Sequence, residues 1–179
     1  MPIDNTIEKI IKSDKLKKYE KLSRILYYIF VKICKIDQSK YYILGSYALR
    51  KHREINDLDI NFCFTEASKL EKAVELGFGK IEFYNGQIRW FFDMTSEYNK
   101  LYDKTAKDFS IEAFFQLETD GYPNDKFSLK YLTKKKLLDV DNKGHLYFSL
   151  ETLLKFKKIL NREKDQADIK LLEKILKKQ

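Results

Sequence analysis

The chain predicts an α/β (α+β) domain in which a mixed β-sheet is flanked by helices and followed by a C-terminal helical segment. Three observations carry that expectation. Amphipathic stripes occupy both ends of the 179 residues, and short apolar runs bounded by glycine or polar clusters occupy the middle. No repeat, low-complexity tract or Pro/Gly linker divides the chain. At this length it is one domain, or a core with a small appendage. Residues 1–140 are expected as the core with its N-terminal helices, and 141–179 as a helical segment closing a cleft.

Residues 5–36 predict one or two helices, because Leu16, Tyr19, Leu22, Ile25, Leu26, Ile29, Phe30 and Ile33 recur at three and four with lysines opposite. Tyr41–Leu44 is short, aromatic and apolar, and stopped by glycine, so it predicts a buried strand. Ser46 is placed to cap a short helix over Tyr47–Lys51. A strand follows at 57–64, then a helix over 67–77 ended by Gly77. Residues 79–94 predict a hairpin turned at Asn85-Gly86. Phe109–Leu117 predicts another strand, and two extended pieces follow around Leu129–Leu132 and Leu137–Val140. After a turn at Asn142-Lys143-Gly144, Ser149 opens a helix to about Leu160, and a last helix covers about Glu163–Lys178.

Composition narrows the function classes. The longest apolar stretch is far too short to span a bilayer, and the charged N-terminus lacks a secretory apolar core, so a cytoplasmic protein without membrane contact is expected. Cys34 and Cys63 lack zinc-ligand spacing and are expected as buried free thiols. The net charge of +8 is unevenly spread. Residues 1–40 carry ten Lys/Arg against five Asp/Glu, 41–125 ten against fifteen, and 126–179 fifteen against seven. An acidic middle between basic arms suits a triphosphate or a nucleic acid backbone; solvated helix faces account for the same lysines equally well.

The most informative stretch is Gly45-Ser46, ten residues, then Asp57-Leu58-Asp59. Gly45 lets the backbone approach an anion without a Cβ in the way. A turn opening a helix presents N–H groups to phosphate oxygens. Asp57 and Asp59 lie two apart in a strand and project from one face, while Leu58, Ile60 and Phe62 face a core. Two carboxylates about 5 Å apart repel by roughly 3 kcal/mol at an effective dielectric near 20. Mg²⁺ offsets that repulsion while binding phosphate oxygens, and it favours one or two carboxylates with substrate phosphates over an all-protein cage. Asn61 continues the same face and could orient Asp59.

Gly45, Ser46, Asp57 and Asp59 together resemble the core motif of the DNA polymerase β-like nucleotidyltransferase superfamily. The resemblance extends to Arg162, Lys164, Asp165 and Asp168, which are similar to an Arg-x-Lys-Asp-x-x-Asp-like stretch in small stand-alone members, among them lincosamide-type antibiotic and toxin-type nucleotidyltransferases. It is strong over 41–64, moderate over 109–117 and 149–176, and nearly absent over 1–40. It implies the nucleotidyltransferase fold and Mg²⁺-dependent transfer of an NMP from an NTP, with one or two ions, to a hydroxyl on a small molecule, an RNA end or a protein. A non-catalytic nucleic-acid- or nucleotide-binding module that kept the fold is the alternative.

The superfamily also implies a third acid on a neighbouring strand, as base or metal ligand. Glu112 is favoured, an acid inside an aromatic strand being costly unless paired or coordinated; Asp93 competes. Glu112 could instead be a strand-face residue bonded to Arg89 or a lysine. Lys155, Lys158 and Arg162 fall at three and four on one helical face and are expected to bind the β- and γ-phosphates with Gly45 and Ser46. Arg50, His52 and Arg53 lie between the motif halves, within reach of triphosphate or acceptor. Tyr41, Tyr42 and Tyr47 are candidates for base stacking or, more simply, for packing.

Overall fold

The computed structural model describes residues 4–84, 87–93, 110–116 and 128–178. Two helices open it, α1 (Asn5–Ile11) and α2 (Lys18–Leu26), and α2 continues as a π-helical stretch over Tyr27–Ile33. Asp4 caps α1 by accepting from the amides of Thr6 and Ile7. Strand β1 (Tyr41–Ile43) leads into a 3₁₀ turn over Gly45–Leu49, then β2 (Asp57–Cys63). A 3₁₀ stretch, Phe64–Leu70, runs into α3 (Glu71–Glu75), and β3 (Lys80–Tyr84) and β4 (Gln87–Asp93) pair antiparallel. The remainder is β5 (Ser110–Gln116), α4 (Leu129–Lys134), β6 (Leu138–Val140), β7 (Leu146–Phe148), α5 (Leu150–Leu160) and α6 (Gln166–Leu176), the last two joined through a 3₁₀ turn at Glu163–Asp165.

The seven strands form one mixed sheet in the order β3-β4-β5-β2-β1-β7-β6. β2 pairs parallel with β5 and antiparallel with β1, and β1 pairs parallel with β7. Successive side chains leave opposite faces of a strand, so adjacent residues enter different cores. Tyr41 packs with Phe30, Phe62 and Trp90 beneath α1 and α2, whereas Tyr42 packs with Phe148, Phe156 and Leu172 beneath α5 and α6. The sheet is therefore covered by the N-terminal helices on one face and by α4, α5 and α6 on the other. Among the described residues no helix is long and apolar enough to cross a membrane. Both cysteines are buried free thiols.

Several local expectations change. Leu129–Leu132 is helical, because Ser128 accepts from the Tyr131 amide as an N-cap and one helical turn brings Leu129 and Leu132 together onto the second core. Ser46 caps nothing: the turn begins at Gly45 with a φ of 63°, and the Ser46 hydroxyl accepts from Arg53 instead. The helix expected over 67–77 begins earlier, as a 3₁₀ stretch from Phe64 to Leu70, turns α-helical over Glu71–Glu75, and is followed by Gly77 at a φ of 81°. Asn85-Gly86 lies outside the described residues. Strand β7 was not anticipated.

Tyr41, Tyr42 and Tyr47 are all buried, at 0%, 0% and 2% exposure, so they pack and do not offer a stacking surface. His145, also fully buried, donates from Nε2 to the Ser23 carbonyl (3.0 Å) and shares a hydrogen bond between Nδ1 and the Tyr41 hydroxyl (2.7 Å). Burial holds it below the usual histidine range, against the pull of Asp141. The unfolded chain therefore binds the additional proton as pH falls through about 6.5. Urea midpoints are expected to show wild type losing stability relative to His145→Gln between pH 7.5 and 5.5.

Candidate functional site

The site is assembled where β2 and β5 run side by side. Their register sets Asp57 opposite Ser110 and Asp59 opposite Glu112, so Asp57, Asp59 and Glu112 share one face. Leu58, Ile60, Ile111 and Ala113 are fully buried on the other, which fixes that face without ambiguity. On β4, Asp93 pairs in register with Ser110, one step further along the sheet.

The Gly-Ser turn meets this row. The Leu44 amide donates to the Asp59 carbonyl at 2.7 Å, carrying β1 to the level of the aspartates. A Cβ on Gly45 would lie 3.2 Å from Asp59 Oδ2. The φ of 63° favours glycine here, and any Cβ would also press on the Asp59 carboxylate. Gly45→Ala is expected to cost about 1–2 kcal/mol from the left-handed backbone alone. It should also displace the Asp59 carboxylate, read as a lowered melting temperature together with weakened Mg²⁺ affinity.

Electrostatics single out Asp59. Burial, then the charges of Asp57 and Glu112, push its pKa up to about 7, against the opposing pull of Lys164 and Arg162. A half-buried carboxylate crowded by two others is a site that favours a cation. Asp57 is exposed at the end of the strand and can reach solvent-borne ligands. Mg²⁺ bound by carboxylates must displace the proton from Asp59, so its apparent affinity is expected to fall as pH drops below about 7, measured by titration calorimetry. Among the described residues no group of three or more His, Cys, Asp or Glu is disposed as a metal cage.

Glu112 is paired with Arg89, whose Nη1 donates to its Oε2 at 2.7 Å. Arg89, only 8% exposed, also grips Glu82 through Nε and Nη2, at 3.0 and 2.6 Å. Arg89 therefore bridges Glu82 and Glu112 across the sheet and orients Glu112 beside Asp59.

The C-terminal segment approaches the same place through an ion network absent from the sequence expectations. Arg53 donates bidentately to Asp168 (both 2.8 Å) and, through Nη2, to Ser46 Oγ (2.6 Å). Lys157, 3% exposed, lies 2.6 Å from Asp165 and 3.0 Å from Asp168, and Arg162 closes on Asp165 at 2.5 Å. The network thus ties the α5–α6 connection to the Gly-Ser turn and brings Arg162 and Lys164 near Asp59. Lys164 was visible beforehand only as part of the Arg-x-Lys stretch. Lys155 is exposed on α5. Lys158 pairs with Glu173 at 2.6 Å across the α5–α6 contact, and neither lysine is among the charges acting on Asp59. Asn61, expected to orient Asp59, donates to the Tyr42 hydroxyl at 2.7 Å.

A cavity of about 600 Å³ opens on this side of the sheet, lined by Lys40, Asn61, Cys63, Ser128, Lys130 and Lys134 among others. Asn61 is the next same-face residue after Asp59, so the cavity begins about 7 Å along the strand from that carboxylate.

The chain matches no protein-family model and no curated protein. Among solved structures it is similar to a chain described in work on the activity of a cytoplasmic RNA terminal U-transferase, at a TM-score of 0.41 and 15% identity. The likeness covers 74% of this chain and 41% of that one.

Proposed function

We propose that this protein is a Mg²⁺-dependent nucleotidyltransferase that moves an NMP from an NTP to an acceptor hydroxyl and releases pyrophosphate. The observation that carries it is the meeting of the two motif halves. Gly45 lies against Asp59, so that a Cβ there would press on its carboxylate, with Asp57 and Glu112 on the same face. A solvated acidic edge would not require that contact.

In this reading Asp57 and Asp59 hold Mg²⁺, which when bound neutralises charge on the phosphates and the leaving oxygen. Gly45, Ser46 and the backbone after them face the terminal phosphates, and Arg162 and Lys164 supply cationic charge from the C-terminal segment. Ser46 is held for that role by Arg53. Lys155 and Lys158 remain candidates for outer phosphate contacts, reached by a change of side-chain rotamer. The acceptor oxygen bonds to the α-phosphorus as the bond to the pyrophosphate oxygen breaks, and its proton passes to Glu112 or solvent. The 600 Å³ cavity beside Asn61 has room for a nucleoside.

Incubation with each α-labelled NTP and a cell extract tests the activity and sorts acceptors into small molecule, RNA or protein. Absence of Mg²⁺-dependent label transfer, together with salt-sensitive nucleic-acid binding, would favour the non-catalytic module. Glu112→Gln separates two roles for the third acid. Loss of about 10²–10⁴ in kcat is expected if it accepts the proton. Unchanged kcat with a lowered melting temperature would make it solely the partner of Arg89.

A further inference from the structure

Two contiguous cavities of about 260 and 450 Å³ lie away from the aspartates and share Tyr19, Arg50 and Lys51 in their walls. Together they form a groove leading from Arg53, which holds Ser46, to Arg24 and Lys143. Seven Lys or Arg line it against three acids. Those cations come from stretches far apart in the chain, α2 and the residue before it, the segment after the Gly-Ser turn, and the turn before β7, so the fold and no local run of sequence concentrates them.

Two of the acids are already engaged. Asp141 accepts from the hydroxyls of Tyr47 (2.6 Å) and Ser23 (3.0 Å) and from the amides of Lys143 and His145. Glu20 accepts from the Lys17 amide. Glu54, the third, is exposed. Arg50 is held by rings instead of a carboxylate, its guanidinium carbon 4.5 Å from the Tyr47 ring centre and 4.2 Å from that of Tyr147. The wall therefore presents a stacked guanidinium, Arg50, among lysines, with the half-buried Tyr19 beside them.

We infer that this groove binds the backbone of a single-stranded nucleic acid, its cations tracking the phosphates and Tyr19 offering stacking surface to a base. As a binding surface it does not depend on transfer chemistry; that the bound strand is the acceptor rests on the transferase proposal. A free nucleotide needs only one end of such a groove, whereas cations spread along two joined cavities match a chain of charges.

Fluorescence anisotropy with a labelled 16-nucleotide RNA and the equivalent DNA, without Mg²⁺ or NTP and over 50–200 mM NaCl, tests the inference. Binding should weaken with salt, at a slope near −0.7 for each phosphate contacted. The triple variant Arg24→Gln, Lys51→Gln, Lys143→Gln should flatten that slope by about 2. Exposed lysines elsewhere, changed together as Lys72→Gln, Lys135→Gln, Lys177→Gln, should leave it unaltered. Acetylation footprinting of the unmodified chain should show Lys51 and Lys143 protected by the strand, a result independent of how variants fold. No salt-sensitive binding, an equal loss in the control triple, or unprotected Lys51 and Lys143 would overturn the inference. Asp57→Ala should bind the strand like wild type, so failure of the chemistry and failure of the groove are read separately.

Discussion

Asp59→Ala is expected to lower Mg²⁺-dependent pyrophosphate release by at least about 10³-fold. Losing one of two carboxylate ligands removes several kcal/mol of stabilisation from the developing phosphoryl charge, and each 1.36 kcal/mol is tenfold in rate. Asp57→Ala should do the same, and wild-type turnover in either variant would remove the metal role. The more discriminating variant is Asp59→Asn. Burial and the charges of Asp57 and Glu112 raise this carboxyl to about 7 from an ordinary value of 3.8, so the folded state holds a proton that the unfolded chain has released. The sign follows from linkage. The group imposes no penalty below the unfolded value, a growing one as pH rises, and the full penalty above the folded value. In the absence of metal, Asp59→Asn should therefore be more stable than wild type by a margin that widens from pH 5 to pH 8. Added Mg²⁺ should narrow the gap by stabilising wild type alone. A variant that gains stability and loses activity is what a carboxylate kept for its ligand produces. Equal melting temperatures across that range would show that Asp59 carries no such strain.

The second large effect is expected at Lys157, which no motif points to. Its ammonium is 3% exposed and sits between Asp165 and Asp168, themselves 2% and 8% exposed. Lys157→Met should cost about 1–3 kcal/mol in urea unfolding, because Asp165 and Asp168 lose a buried partner and keep only Arg162 and Arg53. Burial alone would raise both aspartates. Arg162 and Lys157 hold Asp165 below the ordinary carboxylate range, and Arg53 and Lys157 do so for Asp168. Their stabilisation is thus present above about pH 4 and lost as pH falls through the depressed values. Lys157→Met combined with Asp165→Asn should recover part of the loss, since the buried charge that lost a partner goes with the lysine. No recovery would mean that packing of the lysine stem, and not its charge, dominates. Because Asp168 also holds Arg53, and Arg53 holds Ser46, a disturbed cluster should loosen the Gly-Ser turn, read as a raised KM for NTP.

Much of the site was legible before any coordinates. Strand alternation placed Asp57 and Asp59 on one face with Leu58 and Ile60 in the core, and the β2 register agrees. Glu112 could be put on a strand of its own by the aromatic run around it. Its binding to Arg89 was one of two readings, because the partner sits 23 residues away on a strand whose pairing no local pattern specifies. Lys155 and Lys158 looked equivalent to Arg162 by helical spacing. Spacing selects a face, but the end of the helix decides which residue overlooks the sheet. The Leu129–Leu132 helix was missed because four or five apolar-rich residues suit either period, and only the core beneath them selects one.

By itself the sequence determined what periodicity and residue chemistry can encode: an α/β domain, the strand carrying paired aspartates, a glycine turn before it, and basic arms around an acidic middle. Tertiary structure alone decided that Gly45 closes on Asp59, that Arg53 and Lys157 bind the C-terminal segment to the turn, and that cations from distant stretches line one groove. The reason is range. Backbone preference and amphipathicity act within a few residues, whereas ion pairs and close approaches depend on which strands and helices become neighbours once both faces of the sheet are covered.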